Sequence, residues 1–408
     1  MQRFGRYDNK IRQSLTNRHV LWMHAVSVGE MNVCLQMIHA LEPRLPNLKF
    51  VVSTTTTTAM GELQKRLPPT VGKIYYPFDL RKSVERAISA IHPDAIILVE
   101  SEIWPNFIWR AHQLGKPLFL VNARLSDRSY PRFKKFGFFF RNLFGSFTAV
   151  GAQNESDAAK LRELGCAPEA VHVVGNLKFD AAKSVGKAPL NVPALLAQLG
   201  IAKDAPVWVA GSTHPDEERI LAAQFQRLRA KFPDLTFILV PRHNERAREV
   251  GEELSRLGID FVYRSEIKPD SCHLAGSVQC LLVDTIGELR FFYEHATIVF
   301  VGKSLAAEGG QNPIEPAALG KPVVFGPNMQ NFADVTKVFL ANDGAIQVRN
   351  AEELEKTLAD LLANPRRRDQ LGCNALRTVV ENLGAVERTV DMILQHLEDR
   401  NFYTVPRK

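Results

Sequence analysis

The sequence predicts an α/β protein of two domains, each built on a mostly parallel sheet, and three observations carry that expectation. The chain has 408 residues, more than one hydrophobic core usually organises. Short β-branched or apolar runs alternate with helical patterns in both halves, which is how parallel sheets with crossover helices read. Between the halves, residues 176–200 are rich in Lys, Ala, Pro and Gly, break that rhythm and read as an interdomain connection.

In the first half, residues 20–26 read as a strand, 32–41 as a helix, 49–53 as a strand and 59–67 as a helix. Strands follow at 95–99, 117–121, 149–152 and 171–174, apolar enough to be covered on both faces. In the second half, 207–210, 236–240, 278–283, 298–301 and 322–325 read as strands, with helices at 216–231 and 245–257. The expected division is 1–180, then 181–385, then a C-terminal helical segment, 386–408, that crosses back to the first domain. No internal repeat is evident. Open sheets of this kind bind ligands outside the carboxyl ends of their strands, so the loops that follow the strands are where chemistry is sought.

Composition narrows the partners. Apolar residues at 45% and charged residues at 23% are ordinary for a folded protein, and Lys plus Arg exceeds Asp plus Glu, 51 against 44. The resulting net charge of +7 and pI near 9.1 favour anionic ligands, lipid headgroups or nucleic acid. Cys34, Cys166, Cys272, Cys280 and Cys373 form no C-x-x-C pair and no even framework, which points to neither a zinc site nor a disulfide scaffold but to a reducing compartment. No run of about 18 apolar residues occurs, and the start lacks a signal peptide's apolar centre. A cytoplasmic, membrane-associated chain is expected.

His24 to Glu30 (HAVSVGE) lies where the first strand ends and a helix begins, placing Glu30 near the top of the sheet. A carboxylate there can accept a proton from a sugar hydroxyl, or it can simply complement the positive end of the helix. Glu100 to Asn106 (ESEIWPN) follows the strand 95–99 and supplies a second acidic loop, with Glu100 the better functional candidate. Glu102 also suits a first-turn acid, and Trp104 a core aromatic. The threonines 54–58 offer an N-cap but lack the lysine-bearing loop of a nucleoside-triphosphate site. No H-E-x-x-H, G-x-S-x-G or EF-hand pattern is present, and neither a metal nor another cofactor is expected.

Residues 128–147, RSYPRFKKFGFFFRNLFGSF, contain five Arg or Lys, seven Phe and no acid, a composition suited to an anionic membrane interface. Phe133, Phe136, Phe140, Leu143, Phe144 and Phe147 recur at helical spacing, so part of this face also suits a core. Basic residues interleaved with aromatics suit nucleic acid as well, but no recognised nucleic-acid module accompanies them, and nucleic acid is not the expected partner.

In the second half, Pro241 and Arg242 follow the strand 236–240, and Arg242 carries a permanently charged fork that can bind phosphate or lie solvated on the surface. His243, alone in a loop, is weak evidence. Residues 284–288 (DTIGE) and 309–315 (GGQNPIE) supply glycines, free N–H groups and acids that can grip ribose hydroxyls, together describing a nucleotide-sized pocket. Asn312 can cap a helix begun by Pro313, putting that helix's positive end at a phosphate, while Glu315 and Glu288 reach a ribose or merely sit in first turns.

The ordered blocks SVGE, ESEIWPN, NARLS, GNLKFD, PRHNER, DTIGEL and GGQNPIEP resemble the 3-deoxy-D-manno-octulosonic acid (Kdo) transferase family, over about residues 22–334. The resemblance implies a GT-B glycosyltransferase fold, with two Rossmann-like domains facing a central cleft: an acceptor-binding N-terminal domain and a CMP-sugar-binding C-terminal one. It implies a CMP-Kdo donor and a lipid A precursor (lipid IVA) as acceptor. The setting is lipopolysaccharide biosynthesis, at the cytoplasmic face of the bacterial inner membrane, peripherally attached. The family's catalytic base maps to Glu30, and Glu100 and Lys178 match positions that stabilise the transition state. Its CMP-binding positions map to Pro241, Arg242, Ile286, Gly287, Glu288, Asn312, Pro313, Ile314 and Glu315; no metal is implied.

Three departures stand out. The family's N-terminal apolar anchor is missing, so that either the 128–147 patch docks alone or an anchor precedes Met1. Lys303 stands where a second glycine is common, and Gln311 replaces the usual histidine before Asn312; both bear on donor phosphate contacts. The alternatives kept are a GT-B enzyme that uses a UDP-sugar and a non-catalytic anionic-lipid-binding relative.

Overall fold

The computed structural model describes residues 1–125, 129–183, 190–268 and 278–397. Arg128, Cys272, residues 184–189 of the connection and residues 398–408 of the C-terminal segment lie outside the described residues. The chain divides into two compact units, one of Met1–Asp180 with the residues from Asn382 onward, the other Ala181–Glu381.

The first unit holds seven strands: β1 (His19–His24), β2 (Leu48–Thr54), β3 (Gly72–Tyr75), β4 (Ala95–Val99), β5 (Leu118–Ala123), β6 (Ala149–Ala152) and β7 (Val171–Val173). They form one parallel sheet in the order β3-β2-β1-β4-β5-β6-β7. Every residue of β4 and β5 is buried, because helices cover both faces. Side chains alternate accordingly: Leu21 and Met23 enter one core, Val20 and Trp22 the other.

Helix Arg81–Ile91 illustrates the helical layer. Val84, Ala87, Ile88 and Ile91 recur at helical spacing and are buried, and His92, at φ 49, ends the helix in the left-handed region. On the opposite face the sheet is covered by helix Val28–Leu41 and by the last helix, Ala385–Gln395, whose Val390, Met392 and Ile393 join that core. Asp180 ties this last helix down by accepting hydrogen bonds from the Gly384 and Val386 N–H groups, each at 2.7 Å. Arg388 Nε adds a bond to the Val174 carbonyl at 2.8 Å.

The second unit repeats the plan with β8 (Val207–Thr213), β9 (Thr236–Pro241), β10 (Phe261–Tyr263), β11 (Cys280–Leu282), β12 (Ile298–Val301), β13 (Val323–Phe325) and β14 (Ile346–Gln347). Its parallel order is β10-β11-β9-β8-β12-β13-β14. β3, β10 and β14 were not among the strands read from sequence; each is a two- to four-residue edge strand.

Residues 128–147 supply two short helices, Tyr130–Lys135 and Gly137–Phe144. Leu143, Phe144 and Phe147 are buried, and Phe133 and Phe140 pack against the core. Phe136 departs from that expected core face: it stands exposed where the two helices break, beside exposed Phe138 and Phe139. Among the described residues no helix is long and apolar enough to cross a membrane.

Candidate active site

The first sheet's strand order reverses between β1 and β4, the position at which an open parallel sheet forms a crevice at its carboxyl edge. Glu30 and Glu100 occupy that reversal. Glu30 lies in the first turn of helix Val28–Leu41, which follows β1, and Glu100 is the residue directly after β4.

Ser27 caps the helix by accepting from the Glu30 N–H at 3.2 Å, and its hydroxyl donates back to Glu30 Oε1 at 2.9 Å. Glu30 Oε2 accepts from the Val26 N–H at 2.8 Å. This is a capping box displaced by one residue, since the carboxylate reaches the N–H preceding the cap. The capping reading of Glu30 is therefore realised, and the same carboxylate stands at the strand-order reversal. The side chain is only 6% exposed. Burial pushes its carboxyl up from 4.5 to about 7, against the lowering effect of the Val26 bond and with a smaller upward push from the Glu100 charge.

Glu100 has a different environment. Its backbone sits at φ 57, a left-handed conformation that glutamate rarely adopts and that here aims the side chain inward. Lys178 Nζ lies 2.9 Å from Glu100 Oε1, and Arg124 Nε donates to Oε2 at 3.1 Å. An amide network positions Lys178. Asn122 Oδ1 accepts from the Leu177 N–H at 3.0 Å, Asn176 Nδ2 donates to Gln153 Oε1 at 2.9 Å, and Asn176 Oδ1 accepts from the Lys178 N–H at 3.0 Å. Lys178 also runs past the helix start, 3.8 Å from where a Cβ on Gly29 would lie. The structure thus brings Glu30, Glu100 and Lys178 to one edge of one sheet.

Beneath them, buried His24 stacks on Tyr76 with ring centres 3.7 Å apart, and its Nε2 lies 3.5 Å from Glu102 Oε2. Glu102 accepts from the Trp104 indole N–H at 2.8 Å. It does not serve as the first-turn acid of helix Pro105–Gln113; Asp79 takes that place, accepting from the Asn106 and Phe107 N–H groups at 3.0 and 2.9 Å. Trp104 packs against the core, and Thr56 caps helix Thr57–Arg66.

In the second unit the order reverses between β8 and β12. Pro241 closes β9, and the exposed Arg242 follows, its N–H donating to the Thr213 carbonyl at 2.9 Å so that the loops after β8 and β9 lie side by side. Ile286, 77% exposed, and Gly287, at φ 89, lead into helix Leu289–Glu294. Glu288 is paired with Arg264, Nε to Oε2 at 3.1 Å, and receives the Thr285 hydroxyl.

Asn312 Oδ1 accepts from the Ile314 N–H at 3.0 Å. The helix there runs only Ile314–Ala318, with Pro313 as its N-cap rather than its first residue. The expectation of a helix begun by Pro313 whose positive end faces a phosphate is therefore corrected in its geometry: a helix of five residues aligns few peptide dipoles. Burial raises the Glu315 carboxyl, opposed by its bond to Asn312 and by Arg290 and Arg242. Pro241 ends β9, and Arg242, Ile286, Gly287, Glu288, Asn312, Pro313, Ile314 and Glu315 follow the carboxyl ends of β9, β11 and β12.

Asn122 and Arg124 entered the sequence reading only within the NARLS block, with no role given, and Glu217 not at all. Glu217, in the first turn of the helix after β8, is fully buried and accepts from three backbone N–H groups of the loop after β12, those of Lys303, Ser304 and Leu305, at 2.7–3.0 Å. For Arg124 the available signal was register, since β5 lies beside β4 and carries Arg124 just past its end, next to Glu100.

The family model described as 3-deoxy-D-manno-octulosonic-acid transferase (kdotransferase) matches residues 1–181. A 3-deoxy-D-manno-octulosonic acid transferase of Haemophilus influenzae is 31% identical over 399 residues, covering 97% of this chain and 91% of the relative. The corresponding protein of Bordetella pertussis is 31% identical over 399 residues, 96% of this chain and 90% of its own. Among solved structures, UDP-GlcNAc 2-epimerase from Neisseria meningitidis bound to UDP-GlcNAc superposes with a TM-score of 0.59 at 15% identity, over 92% of this chain and 100% of the other. That likeness concerns the fold, which is the GT-B fold of two parallel-sheet α/β domains. With such identity sustained along nearly its whole length, the chain is a glycosyltransferase that belongs to the 3-deoxy-D-manno-octulosonic acid transferase family.

Proposed function

We propose that this protein transfers Kdo from CMP-Kdo to a lipid A precursor during lipopolysaccharide biosynthesis, working peripherally at the cytoplasmic face of the inner membrane. The observation that carries the reading is Glu30. It is a carboxyl buried at the strand-order reversal, raised to about 7, with both oxygens already oriented. A base whose pKa lies near the working pH combines availability with driving force for proton transfer.

In the proposed reaction an acceptor hydroxyl attacks the anomeric carbon of Kdo while Glu30 takes its proton. The bond from that carbon to the CMP phosphate oxygen breaks, and the electron pair leaves with CMP. Lys178 and Glu100 stabilise the transition state as a fixed charge pair that requires no reorganisation as charge moves. The first unit takes the acceptor. In the second, Pro241, Arg242, the Ile286–Gly287–Glu288 turn and the Asn312–Pro313–Ile314–Glu315 turn bind CMP. No step uses a metal.

Exposed Phe136, Phe138 and Phe139, with exposed Arg132, Lys134, Lys135 and Arg141, support docking to anionic lipid, because apolar side chains and cations together suit the headgroup boundary. The test is incubation with CMP-Kdo, generated in situ, and a tetra-acylated lipid A precursor, followed by product mass. A mass increase of one or more Kdo units is expected. Transfer from a UDP-sugar with none from CMP-Kdo would overturn the donor assignment.

A further inference from the structure

The loop after β12 is held by Glu217, which accepts from the Lys303 N–H at 2.7 Å and from the two N–H groups that follow. Lys303 is thereby fixed at φ 56, in the left-handed region that glycine enters freely and lysine does not. A strained residue locked by its surroundings argues for a function that the strain serves.

The side chain doubles back over the same loop. A Cβ placed on Gly309 would lie 2.7 Å from Asn331 Nδ2 and 3.3 Å from both Cε and Nζ of Lys303, so the glycine at 309 leaves room for both side chains. Among the described residues no carboxylate pairs with this ammonium. Near it stands His214, just past the carboxyl end of β8. After burial, the Lys303 charge is the first among those that push the His214 ring down to about 4, ahead of His243, Arg242 and Arg246. The Gln311 side-chain nitrogen lies 3.2 Å from His214 Nε2 and donates to that unprotonated ring nitrogen. His214 and Gln311 are thus neutral, and Lys303 is the cation.

Lys303 and Gln311 are neighbours in space. The Gly310 N–H donates to the Lys303 carbonyl at 2.8 Å, and the Gln311 N–H to the Gly302 carbonyl at 3.1 Å. Lys303 thus stands on one side of this hairpin-like pair and the neutral Gln311 amide on the other. We infer that Lys303 is a donor-positioning residue, its ammonium binding the phosphate oxygens of the nucleotide donor together with Arg242, which stands after β9 on the other side of the β8 loop that carries His214. This rests on the reading that the second unit binds a nucleotide-activated sugar.

The test is calorimetric titration of the full chain with CMP, cytidine, UMP and uridine, for wild type, Lys303→Gly and Lys303→Arg, with thermal unfolding of each. Lys303→Gly should bind CMP about tenfold more weakly, the worth of one charge-assisted contact, and cytidine unchanged. Its Tm should be equal or higher, because glycine relieves the left-handed strain, and the salt dependence of CMP binding should become shallower. Lys303→Arg should retain most of the CMP affinity. Unchanged CMP affinity in Lys303→Gly, or an equal loss for CMP and cytidine, would overturn the inference. Should wild type bind UMP in preference to CMP, the CMP reading fails while the UMP-to-uridine difference still decides the role of Lys303.

Discussion

Lys178 Nζ lies 2.9 Å from Glu100 Oε1, and with Arg124 on the second oxygen it makes Glu100 a carboxylate clamped between two cations. Glu30, at the same strand-order reversal, is bound instead by a backbone N–H and a serine hydroxyl. Two acids at one crevice thus occupy different electrostatic settings, one paired with cations and one buried without them. The consequences are measurable.

Glu30→Gln should stabilise the protein at alkaline pH while abolishing turnover. Burial raises the carboxyl from 4.5 to about 7, so the folded chain holds this proton more tightly than the unfolded chain. The favourable contribution is complete below the unfolded value and disappears as pH rises toward 7, leaving an ionised, buried group that costs up to about 3 kcal/mol. Urea unfolding at pH 8 should show the glutamine variant more stable by about 1–3 kcal/mol, and at pH 4 no gain. A variant less stable at pH 8 would mean that the carboxylate's hydrogen bonds outweigh its burial.

The pH dependence of kcat/KM should show an acid limb near 7, with activity rising as Glu30 loses its proton. Ser27→Ala removes a hydrogen bond that favours the ionised form, so the limb should move to higher pH. A profile that is flat between pH 5 and 8 would contradict base catalysis by this group.

Lys178→Ala should lower kcat about 100-fold or more while leaving CMP affinity unchanged, as loss of one preorganised electrostatic contact does. Lys178→Arg should recover part of it. An effect confined to KM, with kcat intact, would make Lys178 a binding residue only.

Asp180→Ala should destabilise the chain by about 2–3 kcal/mol, because two backbone N–H groups at the start of the last helix lose their acceptor. Asp180 shares a short turn with Lys178, so kcat should fall as well. Stability within about 0.5 kcal/mol of wild type would show that core packing alone seats the helix.

Much of this was legible in the sequence, for identifiable reasons. The strands Ala95–Val99, Ala149–Ala152 and Ile298–Val301 match residue for residue, because strands buried on both faces appear as uninterrupted apolar runs. Edge strands such as Gly72–Tyr75 and Ile346–Gln347 bury less and are too short to show a period. Glu30 and Glu100 were accessible to local reasoning, since each follows a readable strand. Lys178 entered only through family resemblance, because its approach to Glu100 depends on the Asn122 and Gln153 amides, which are distant in sequence and bind Leu177 and Asn176 beside it. Glu217 could not be told from a first-turn acid, because its partners lie in a loop that the sheet topology, not the local sequence, delivers.

The most direct test is Kdo transfer to the lipid acceptor by wild type and Glu30→Ala side by side, with CMP binding measured on both proteins. Wild-type product that disappears in the variant while CMP affinity is retained is the expected result. Product formation by Glu30→Ala at the wild-type rate would contradict the account, and the base would have to be sought elsewhere along the same edge of the sheet.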